Sequence, residues 1–406
     1  MKIKKDKDII ERLTTRAVEK VLPSQQALRK ALTSGKRLNV YQGFDPTADT
    51  LHIGHSAGMR KLRDFQLLGH NVIMLIANFT ARIGDPSDKT AARTKLTKDE
   101  VENNLKNYKN QASRILDFDN SDNPVHIKFN ADWLEKLTFQ DVVDLTSEFT
   151  VQQMLKRDMF QNRLKTEKPI YLHEFLYPVM QAYDAVSMNI DVEVGGTDQM
   201  FNMMCGRDLV SKKLDKEKFV ICVRLLEDPS GKKMGKSEGN MIMLSDSPQD
   251  MYGKVMAFTD GMIVPAFELL TDIDMEEIKQ MKTDMKTSKV NPMNLKKKLA
   301  LLITSEHKGK KAAQSAQKYF EQVFQKKGDA DLDTVQEKSI GLDTINIIEL
   351  LKLTGFAASN SEAKRLIRQS AVSIDNQNVK SIETEISIPV KGLILRTGKK
   401  IIKIIT

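Results

Sequence analysis

The alternation of apolar and polar positions predicts strands and helices in turn along the first half of the chain. Residues Val72–Ala77 are apolar throughout, as expected of a strand buried on both faces. Further strand patterns lie at 38–41, 125–129, 192–194 and 219–226. Helical spacing covers 53–68, 100–118, 139–160 and 172–187. Because strands that alternate with helices pair in parallel, the pattern predicts an α/β fold with a Rossmann-type, doubly wound parallel sheet.

The pattern becomes helical and rich in Met and Lys after about residue 246. We therefore predict an α/β domain over 1–245 and an all-helical domain over 246–327. The segment 328–341 is predicted to be an acidic linker. Two helical and two short strand patterns then predict a small α+β domain over 342–406.

Charge is distributed unevenly along the 406 residues. Of the formal net charge of +9, residues 1–277 carry −2, whereas 278–327 carry +10 and 342–406 carry +4. A nearly neutral body with a basic C-terminal third indicates an enzyme that holds a polyanion such as a nucleic acid. The alternative is a solvated, lysine-rich helix surface, which charge alone does not exclude.

Composition excludes several other classes of protein. Hydrophobic residues make up 40% of the chain, so global disorder is excluded. The start of the chain is highly charged and lacks an apolar signal core, and the apolar runs are too short to cross a bilayer. Cys205 and Cys222 show no metal-ligand spacing, and neither do the six histidines. We expect a cytoplasmic protein without a membrane partner or a metal held by the chain itself.

Candidate chemistry begins with His52-Ile-Gly-His55, which follows the first predicted strand. A spacing of three places both imidazoles on one face of the first helical turn. Gly54 leaves room for a nucleotide beside the backbone, and the helix N-terminus adds positive potential for phosphates. Two histidine donors here can stabilise charge that develops on an α-phosphate under attack. A lone histidine pair is usually structural, but the preceding Gly43–Thr47 makes this motif more specific.

A second motif is Lys232-Lys-Met-Gly-Lys-Ser237, with further glycines around it. Its small residues predict a mobile loop from which Lys233 and Lys236 reach a polyphosphate and Ser237 donates a hydrogen bond. Such a loop can stabilise pyrophosphate as a leaving group. Alone it has the composition of an ordinary surface loop. Downstream of the histidine motif, on an α/β fold, it favours nucleotide chemistry.

In this order the two motifs resemble those of class I aminoacyl-tRNA synthetases, and the likeness extends over nearly the whole chain. Within that class the chain is similar to the bacterial tyrosyl enzymes. The segments that carry this closer resemblance are Tyr41–Thr47, Ile83–Ser87, Tyr177–Asp184 and Val194–Gln199. Gly235 is a departure, because the class pattern most often has serine there, and this difference bears on the mobility of the loop.

The resemblance implies a two-step tyrosine–tRNA ligase reaction. The carboxylate of L-tyrosine attacks the α-phosphate of ATP, which gives tyrosyl-adenylate and pyrophosphate, and the tyrosyl group then passes to the 3′ end of tRNA. Mg²⁺ accompanies ATP and is held mainly by its phosphates, and no organic prosthetic group is implied. The resemblance also implies a homodimer, with tRNA(Tyr) crossing between subunits and the basic helical domain over 246–327 approaching its anticodon arm.

Roles for individual residues follow from the same resemblance. The implied catalytic residues are His52, His55, Lys233, Lys236 and Ser237. ATP is implied to contact Gly43, Asp45, Thr47, Gly54, Gly196, Asp198 and Lys236. The implied tyrosine site comprises Tyr41, Asp85, Tyr177, Gln181, Asp184 and Gln199.

Within the implied tyrosine site, Asp85, Tyr177 and Gln181 are assigned to the ammonium group and Gln199 to the carboxylate. Tyr41 and Asp184 are assigned to the ring hydroxyl. Tyr177, Gln181 and Asp184 have the spacing of a single helix face, which can present acceptors to a cation. The alternative is a buried polar network that only joins helices.

Residues 342–406 resemble the S4-type RNA-binding domain of bacterial tyrosyl enzymes. The matching core is 361–368 followed by 372–376. Lys364, Arg365 and Arg368 recur at helical spacing and are the implied RNA-binding residues, whose contacts with phosphates would be salt-sensitive. A charged helix in a packing domain is the alternative.

Three other functions stay open at this point. A tryptophanyl synthetase of the same subclass is disfavoured by Tyr41 and Asp184, which suit a phenol better than an indole. A non-catalytic RNA-binding protein on a synthetase scaffold is disfavoured by the intact histidines and lysines. A small nucleotidyltransferase with a similar histidine motif is disfavoured by the length of the chain and its S4-like tail.

Some residues lack a partner motif. Trp133 is expected to anchor a core or an interface rather than to belong to a site. The remaining histidines are expected to be structural or exposed: His70, His126, His173 and His307.

Overall fold

The computed structural model describes residues 2–46, 50–85, 97, 99–100, 103, 107–227, 241–324, 337–375, 377–379, 381–389, 392–397 and 400–405. The chain divides into two compact units, Met1–Gln314 and Ser315–Thr406. Several predicted features lie outside the described residues. They are Thr47, the second motif with Lys233, Lys236 and Ser237, and most of the acidic linker.

A six-stranded sheet forms the centre of the first unit. Its strands are β1 (Val18–Leu22), β2 (Asn39–Phe44), β3 (Asn71–Ile76), β4 (His126–Phe129), β5 (Val192–Gly196) and β6 (Phe219–Val223). They lie in the order β1-β6-β5-β2-β3-β4, and β1 runs antiparallel to β6 while the other neighbours pair in parallel. The predicted parallel sheet is thereby confirmed, and the edge strand β1 is an addition that the sequence pattern did not predict.

Ten helices of the first unit accompany these strands in the described residues up to 227. They are α1 (Lys7–Thr15), α2 (Gln25–Thr33), α3 (Ile53–Leu68), α4 (Tyr108–Ala112), α5 (Ala131–Leu134), α6 (Phe139–Thr146), α7 (Val151–Leu155), α8 (Asp158–Lys165), α9 (Leu172–Ser187) and α10 (Met200–Leu214). Helices α3 and α9 have the predicted bounds. The helix predicted over 139–160 is wrong, because the side chains of Thr138 and Thr150 cap separate N-termini and divide it.

Different helices cover the two faces of the sheet, because side chains alternate along each strand. On one face Tyr41 of β2 packs with Ala185 of α9 and Val210 of α10. On the other face Phe44 of β2 meets His55 at the start of α3, with ring centroids 5.5 Å apart. Strand β2 is therefore buried between α3 and the pair α9 and α10.

The order of strands reverses beside β2. From β2 the chain passes through α3 to β3 on one side, whereas β5 is paired with the other side of β2. Open α/β sheets bind ligands in the crevice at the carboxyl ends of such strands. Asp45 follows β2, and the short helical turn Thr197–Gln199 follows β5. The fold thus predicts a site between these two segments.

Helices continue beyond the sheet, as the sequence pattern predicts. They are α11 (Pro248–Met256), α12 (Asp260–Leu270), α13 (Met275–Lys286), α14 (Pro292–Lys308) and α15 (Lys310–Phe324). Arg60 of α3 donates to Glu306 of α14 and to Asp272, which follows α12. Ion pairs therefore fasten this helical part to α3. In the described residues, no helix is both long and apolar enough to cross a membrane.

The second unit is a small α+β structure. Its strands are β7 (Glu337–Ser339), β8 (Thr344–Asn346), β9 (Val372–Ile374), β10 (Gln377–Asn378), β11 (Glu385–Ser387), β12 (Leu393–Thr397) and β13 (Lys400–Ile405), and its helices are α16 (Ile347–Leu353) and α17 (Asn360–Arg368). Five strands form a sheet in the order β10-β9-β12-β13-β7, and β11 pairs with β8. Ala363 and Ile367 of α17 join its apolar core together with Leu395 of β12.

Candidate active site

The two motif histidines lie together at the N-terminus of α3. His52 is the N-cap residue, and its backbone N–H donates to Nδ1 of His55 at 3.1 Å. The two imidazole rings stack with centroids 3.7 Å apart. Both rings are therefore on one side of the first turn, where the helix dipole favours anions.

Gly54 permits this stacking. A Cβ added at Gly54 would lie 3.0 Å from the ring of His52, closer than van der Waals contact allows. The sequence led us to expect that Gly54 leaves room for a nucleotide. The structure adds a more immediate reason for glycine, since a side chain here would displace the first histidine.

The segment that directly follows the second motif is tied to the histidine motif. The backbone N–H of Ile53 donates to the carbonyl of Ile242 at 2.9 Å, and that of Leu244 donates to Leu51 at 2.8 Å. The Lys308 ammonium at the end of α14 also donates to the carbonyl of Leu244, at 2.7 Å. The chain thus returns from the lysine motif to the start of α3.

Asp184 of α9 is a buried acceptor with two donors already in place. The indole N–H of Trp133 donates to one carboxylate oxygen at 2.7 Å, and the side-chain amide of Asn130 lies 3.3 Å from the other. Burial raises the pKa of Asp184 well above its usual range, while these two donors act in the opposite direction. The two hydrogen bonds fix the orientation of the carboxyl group.

Tyr41 of β2 lies beside this carboxyl group. It is 1% exposed, and its hydroxyl makes no hydrogen bond of normal geometry with the described residues. Burial, together with the carboxylates of Glu193 and Asp184, raises the pKa of Tyr41 well above 10, so the phenol stays protonated. A buried hydroxyl in this setting is a ready partner for a polar group of a ligand.

A second group of polar residues surrounds Tyr177. Its hydroxyl donates to a carboxylate oxygen of Asp45 at 2.7 Å, and the Thr80 hydroxyl donates to the other oxygen at 3.3 Å. Burial and the nearby carboxylates of Asp45 and Asp85 raise the pKa of Tyr177 well above 10. Two carboxylates close to one phenol make this region attractive to a cation.

Asp85 and Gln199 are brought together, as the tyrosine-site assignment requires. The Gln199 amide donates to Asp85 at 2.6 Å, and the buried Asn202 donates to Gln199 at 3.0 Å. Arg157 lies 3.6 Å from the other oxygen of Asp85. The carboxylate of Asp85 is therefore held between an amide and a guanidinium group.

The other described residues that the resemblance assigns to ATP lie at the same edge of the sheet. Gly43 is exposed near the end of β2, and Asp198 is exposed in the turn after β5. A Cβ at Gly196 would overlap the carboxylate of Asp198 and would lie 2.9 Å from Leu225. Gly196 therefore gives Asp198 its place at the mouth of the crevice.

Sequence reasoning missed several residues that hold the site. Trp133 packs beside the core, as expected, and its indole N–H also donates to Asp184, a residue that the resemblance assigns to the tyrosine site. The others are neutral or charged side chains without a motif: Thr80, Asn130, Arg157, Glu193, Asn202 and Lys218. Their contacts depend on which strands are neighbours in the sheet, and the sequence pattern does not show this. Of all these residues, only Trp133 was conspicuous in the sequence, as the single tryptophan of the chain.

Comparison with known proteins agrees with this geometry. A family described as tRNA synthetases class I (W and Y) matches residues 33–325. The tyrosine–tRNA ligase of Thermotoga maritima is 42% identical over 390 residues, which are 96% of this chain and 95% of the relative. The tyrosine–tRNA ligase of Moorella thermoacetica is 40% identical over 394 residues, or 96% and 94% of the two chains.

The chain belongs to the class I tRNA synthetases, among the bacterial tyrosine–tRNA ligases. The resemblance that the motifs indicated is confirmed. The tryptophanyl alternative is not favoured, because the relatives named here are tyrosine–tRNA ligases.

Solved structures give the same fold for this synthetase. A C-terminally truncated mitochondrial tyrosyl-tRNA synthetase of Coccidioides posadasii has a TM-score of 0.62 at 23% identity and covers 77% of this chain and 92% of its own. The tyrosyl-tRNA synthetase of Archaeoglobus fulgidus, in a complex with L-tyrosine, has a TM-score of 0.60 at 19% identity. The match covers 76% of this chain and 99% of the Archaeoglobus chain. The class I synthetase fold is therefore confirmed.

His307 provides a test of how α14 is seated on the histidine-motif helix of the synthetase. It is buried beside Ser56, with Nε2 and the serine hydroxyl 3.5 Å apart, and burial with Arg60 and Lys308 lowers its pKa to about 4. The unfolded chain therefore takes up a proton first as pH falls. We expect the free energy of unfolding to decrease by up to about 3 kcal/mol between pH 6.5 and pH 4 through this residue.

The variant His307→Gln keeps a polar group near Ser56 but does not titrate. Its thermal midpoint should fall less steeply than that of the wild type between pH 6.5 and pH 4.5. His126→Gln, at an exposed histidine, is the control and should follow the wild type. If His307→Gln also follows the wild type, then His307 does not stay neutral in the folded protein.

Proposed function

We propose that this synthetase activates L-tyrosine with ATP to form tyrosyl-adenylate and pyrophosphate, and then transfers the tyrosyl group to the 3′ end of tRNA. The observation that carries the proposal is one hydrogen-bonded network that joins the Asp45–Tyr177 pair to Asp184 beside β2, the strand that leads to the stacked histidines. Its polar groups suit an amino acid with a phenol at one end and an ammonium group at the other. Free, buried Cys205 and Cys222 support a site of action in the reducing cytosol.

His52 and His55 act on ATP in this proposal. Their N–H groups, with the dipole of α3, stabilise the negative charge that develops on the α-phosphate while the tyrosine carboxylate attacks. Asp198, Gly43 and Asp45 face the nucleotide. Lys233 and Lys236 meet the leaving pyrophosphate, and Mg²⁺ enters as a companion of the ATP phosphates.

Substrate choice rests on the ring hydroxyl. An apolar pocket alone discriminates poorly between tyrosine and phenylalanine, whereas a pocket that hydrogen-bonds the hydroxyl rejects phenylalanine because buried polar groups are then left unpaired. Tyrosyl synthetases are an established example of this discrimination. The two groups proposed to contact the hydroxyl are Tyr41 and Asp184, which is already oriented by Trp133 and Asn130.

The variant Tyr41→Phe should weaken the binding of tyrosine by about 0.5–1.5 kcal/mol, because one neutral hydrogen bond is lost. The binding of phenylalanine should be almost unaffected. Asp184→Ala should nearly abolish activation. The measurement is ATP–pyrophosphate exchange with both amino acids. Tyr252→Phe, at a buried tyrosine of α11, is the matched control. It should not change the ratio of the exchange rates with tyrosine and with phenylalanine. If Tyr41→Phe lowered exchange equally with both amino acids, Tyr41 would not contact the ring hydroxyl of the substrate.

We also propose that the synthetase is a homodimer through the outer faces of α6, α7 and the start of α9. Phe139 and Leu172 are 84% and 83% exposed, and Val151 and Tyr171 are also more than half exposed. The inner sides of these helices share one apolar cluster that includes Leu145. Large apolar side chains gathered on one outer surface are typical of an interface between subunits.

The variant Phe139→Asp should shift the synthetase toward monomers, because a charge cannot be buried at the centre of an apolar interface. Sedimentation velocity at several concentrations measures the change. Met293→Asp, at a partly exposed methionine near the start of α14, is the control and should leave the association unchanged. A Phe139→Asp protein that associates as the wild type does would exclude this surface.

Transfer to tRNA is proposed to involve the basic face of α17. Lys364, Arg365 and Arg368 are exposed there, while Ala363 and Ile367 on the opposite side face the core. Three cations on one solvent face, anchored by an apolar side, suit contact with phosphates.

Replacing Lys364, Arg365 and Arg368 by Gln should weaken tRNA binding and reduce the slope of log affinity against log salt by roughly one unit per lost phosphate contact. Tyrosine activation should not change. Lys352→Gln, at an exposed lysine of α16, serves as the control. An unaltered salt slope in the triple variant would remove this face from the tRNA-binding surface.

A further inference from the structure

A wholly buried ion pair lies behind the tyrosine-site residues. Glu193 of β5 and Lys218, which directly precedes β6, are 2% and 0% exposed, and the Lys218 ammonium donates to the Glu193 carboxylate. The ammonium also donates to the carbonyl of Met203 at 3.2 Å. Replacing a buried ion pair by apolar side chains of similar size is often neutral or stabilising. Stability alone is therefore a weak reason for this pair.

A glycine in a neighbouring helix leaves the space that the ion pair occupies. A Cβ added at Gly206, within α10, would lie 2.5 Å from the Lys218 nitrogen and 3.3 Å from a carboxylate oxygen of Glu193. Glycine within a helix is less favourable than alanine because it loses more conformational entropy on folding. Helix α10 thus carries a weak helix former at the position where any side chain would disturb the ion pair.

Glu193 also contacts the tyrosine site directly. Its second carboxylate oxygen accepts a hydrogen bond from the side-chain N–H of Gln181 at 2.9 Å. Glu193 is the register partner of Tyr41 in the sheet, so the two side chains are on the same face. A single buried carboxylate therefore touches one site residue and lies next to another.

The bond from Gln181 has a fixed direction. An ionised carboxylate accepts hydrogen bonds and cannot donate them, so the amide of Gln181 must turn its NH₂ toward Glu193 and its oxygen away from it. Gln181 is partly exposed and lies between Tyr177 and Asp184 on α9. An amide oxygen turned outward there can accept from an ammonium group, whereas an outward NH₂ would repel it.

We propose that the Glu193–Lys218 pair is a positioning device that orients the Gln181 amide so that its oxygen accepts from the ammonium group of the amino acid substrate. The inference rests on the proposed tyrosine site. Lys218 holds the Glu193 carboxylate and balances its charge, so Glu193 does not itself attract the substrate cation. The negative charge that faces the ammonium group then comes from Asp85.

The test uses the double variant Glu193→Gln/Lys218→Met, in which neutral side chains of similar size replace the pair. Glutamine at 193 can donate or accept, so it no longer dictates the orientation of Gln181. Two competitive inhibitors of ATP–pyrophosphate exchange distinguish the ends of the substrate. Tyrosinol keeps the ammonium group and lacks the carboxylate, and the des-amino analogue of tyrosine keeps the carboxylate and lacks the ammonium group.

We expect tyrosinol to bind on the order of tenfold more weakly to the double variant, which is the loss expected of one charge-assisted hydrogen bond. The des-amino analogue and ATP should bind as they do to the wild type. In a Gln181→Ala background the double substitution should have no further effect on tyrosinol, because the pair acts through Gln181.

The neighbouring pair Arg207–Glu217 supplies a matched control. It also joins α10 to the segment before β6, but it is partly exposed. The variant Arg207→Met/Glu217→Gln should leave both inhibition constants unchanged. Thermal unfolding of each variant shows that it is folded, and Glu193→Gln/Lys218→Leu replaces the double variant if that one does not fold, because neither variant leaves a buried charge unpaired.

Unchanged inhibition by tyrosinol in a folded variant would overturn the inference. Equal weakening of the binding of both inhibitors would also overturn it, because the pair would then have only a structural role. A tyrosinol effect that persists in full in the Gln181→Ala background would equally exclude action through Gln181. Failure of the proposed function has a different signature, since the wild-type protein would then show no tyrosine-dependent exchange.

Discussion

The candidate site depends on one constraint of the sheet, which is that the carboxyl ends of β2 and β5 lie side by side while the helices that follow them cover opposite faces. From β2 the chain enters α3, whose first turn carries the stacked histidines. From β5 it enters the turn Thr197–Gln199 and then α10. The groups proposed to face the nucleotide and those proposed to face the amino acid therefore meet at a crevice that the topology itself opens.

Among the described residues, several polar groups of this crevice are hydrogen-bonded to one another, although the hydroxyl of Tyr41 is not. Asn130 lies between Asp184 and the hydroxyl of Thr80, and Thr80 in turn donates to Asp45, which accepts from Tyr177. The end proposed for the ring hydroxyl and the end proposed for the ammonium group are thus joined by one network. Because members of such a network orient one another, the effects of substitutions along it will not add.

Local patterns predicted the elements of this fold well, and contacts between distant elements poorly. The bounds of α3 and α9 follow from apolar spacing, whereas 139–160 divides because threonine caps outweigh helical periodicity. The edge strand β1 has only five residues, and Glu19 and Lys20 interrupt its apolar pattern, so its pairing with β6 was not predicted. The support of Asp184 by Trp133 requires that β4 and α9 be neighbours in space, which a single sequence does not reveal.

The start of α3 and the segment after the lysine motif are far apart in the chain, yet one backbone pairing joins them. Leu51–Ile53 and Ile242–Leu244 exchange hydrogen bonds, so the start of α3 and the exit from the lysine motif form one body. Consecutive residues at the end of α14 contact both sides, since His307 meets Ser56 and Lys308 meets Leu244. A displacement of α14 cannot leave these contacts intact. The position of α14 therefore helps to fix the position of the two histidines, although α14 contributes no residue that is proposed to touch a substrate.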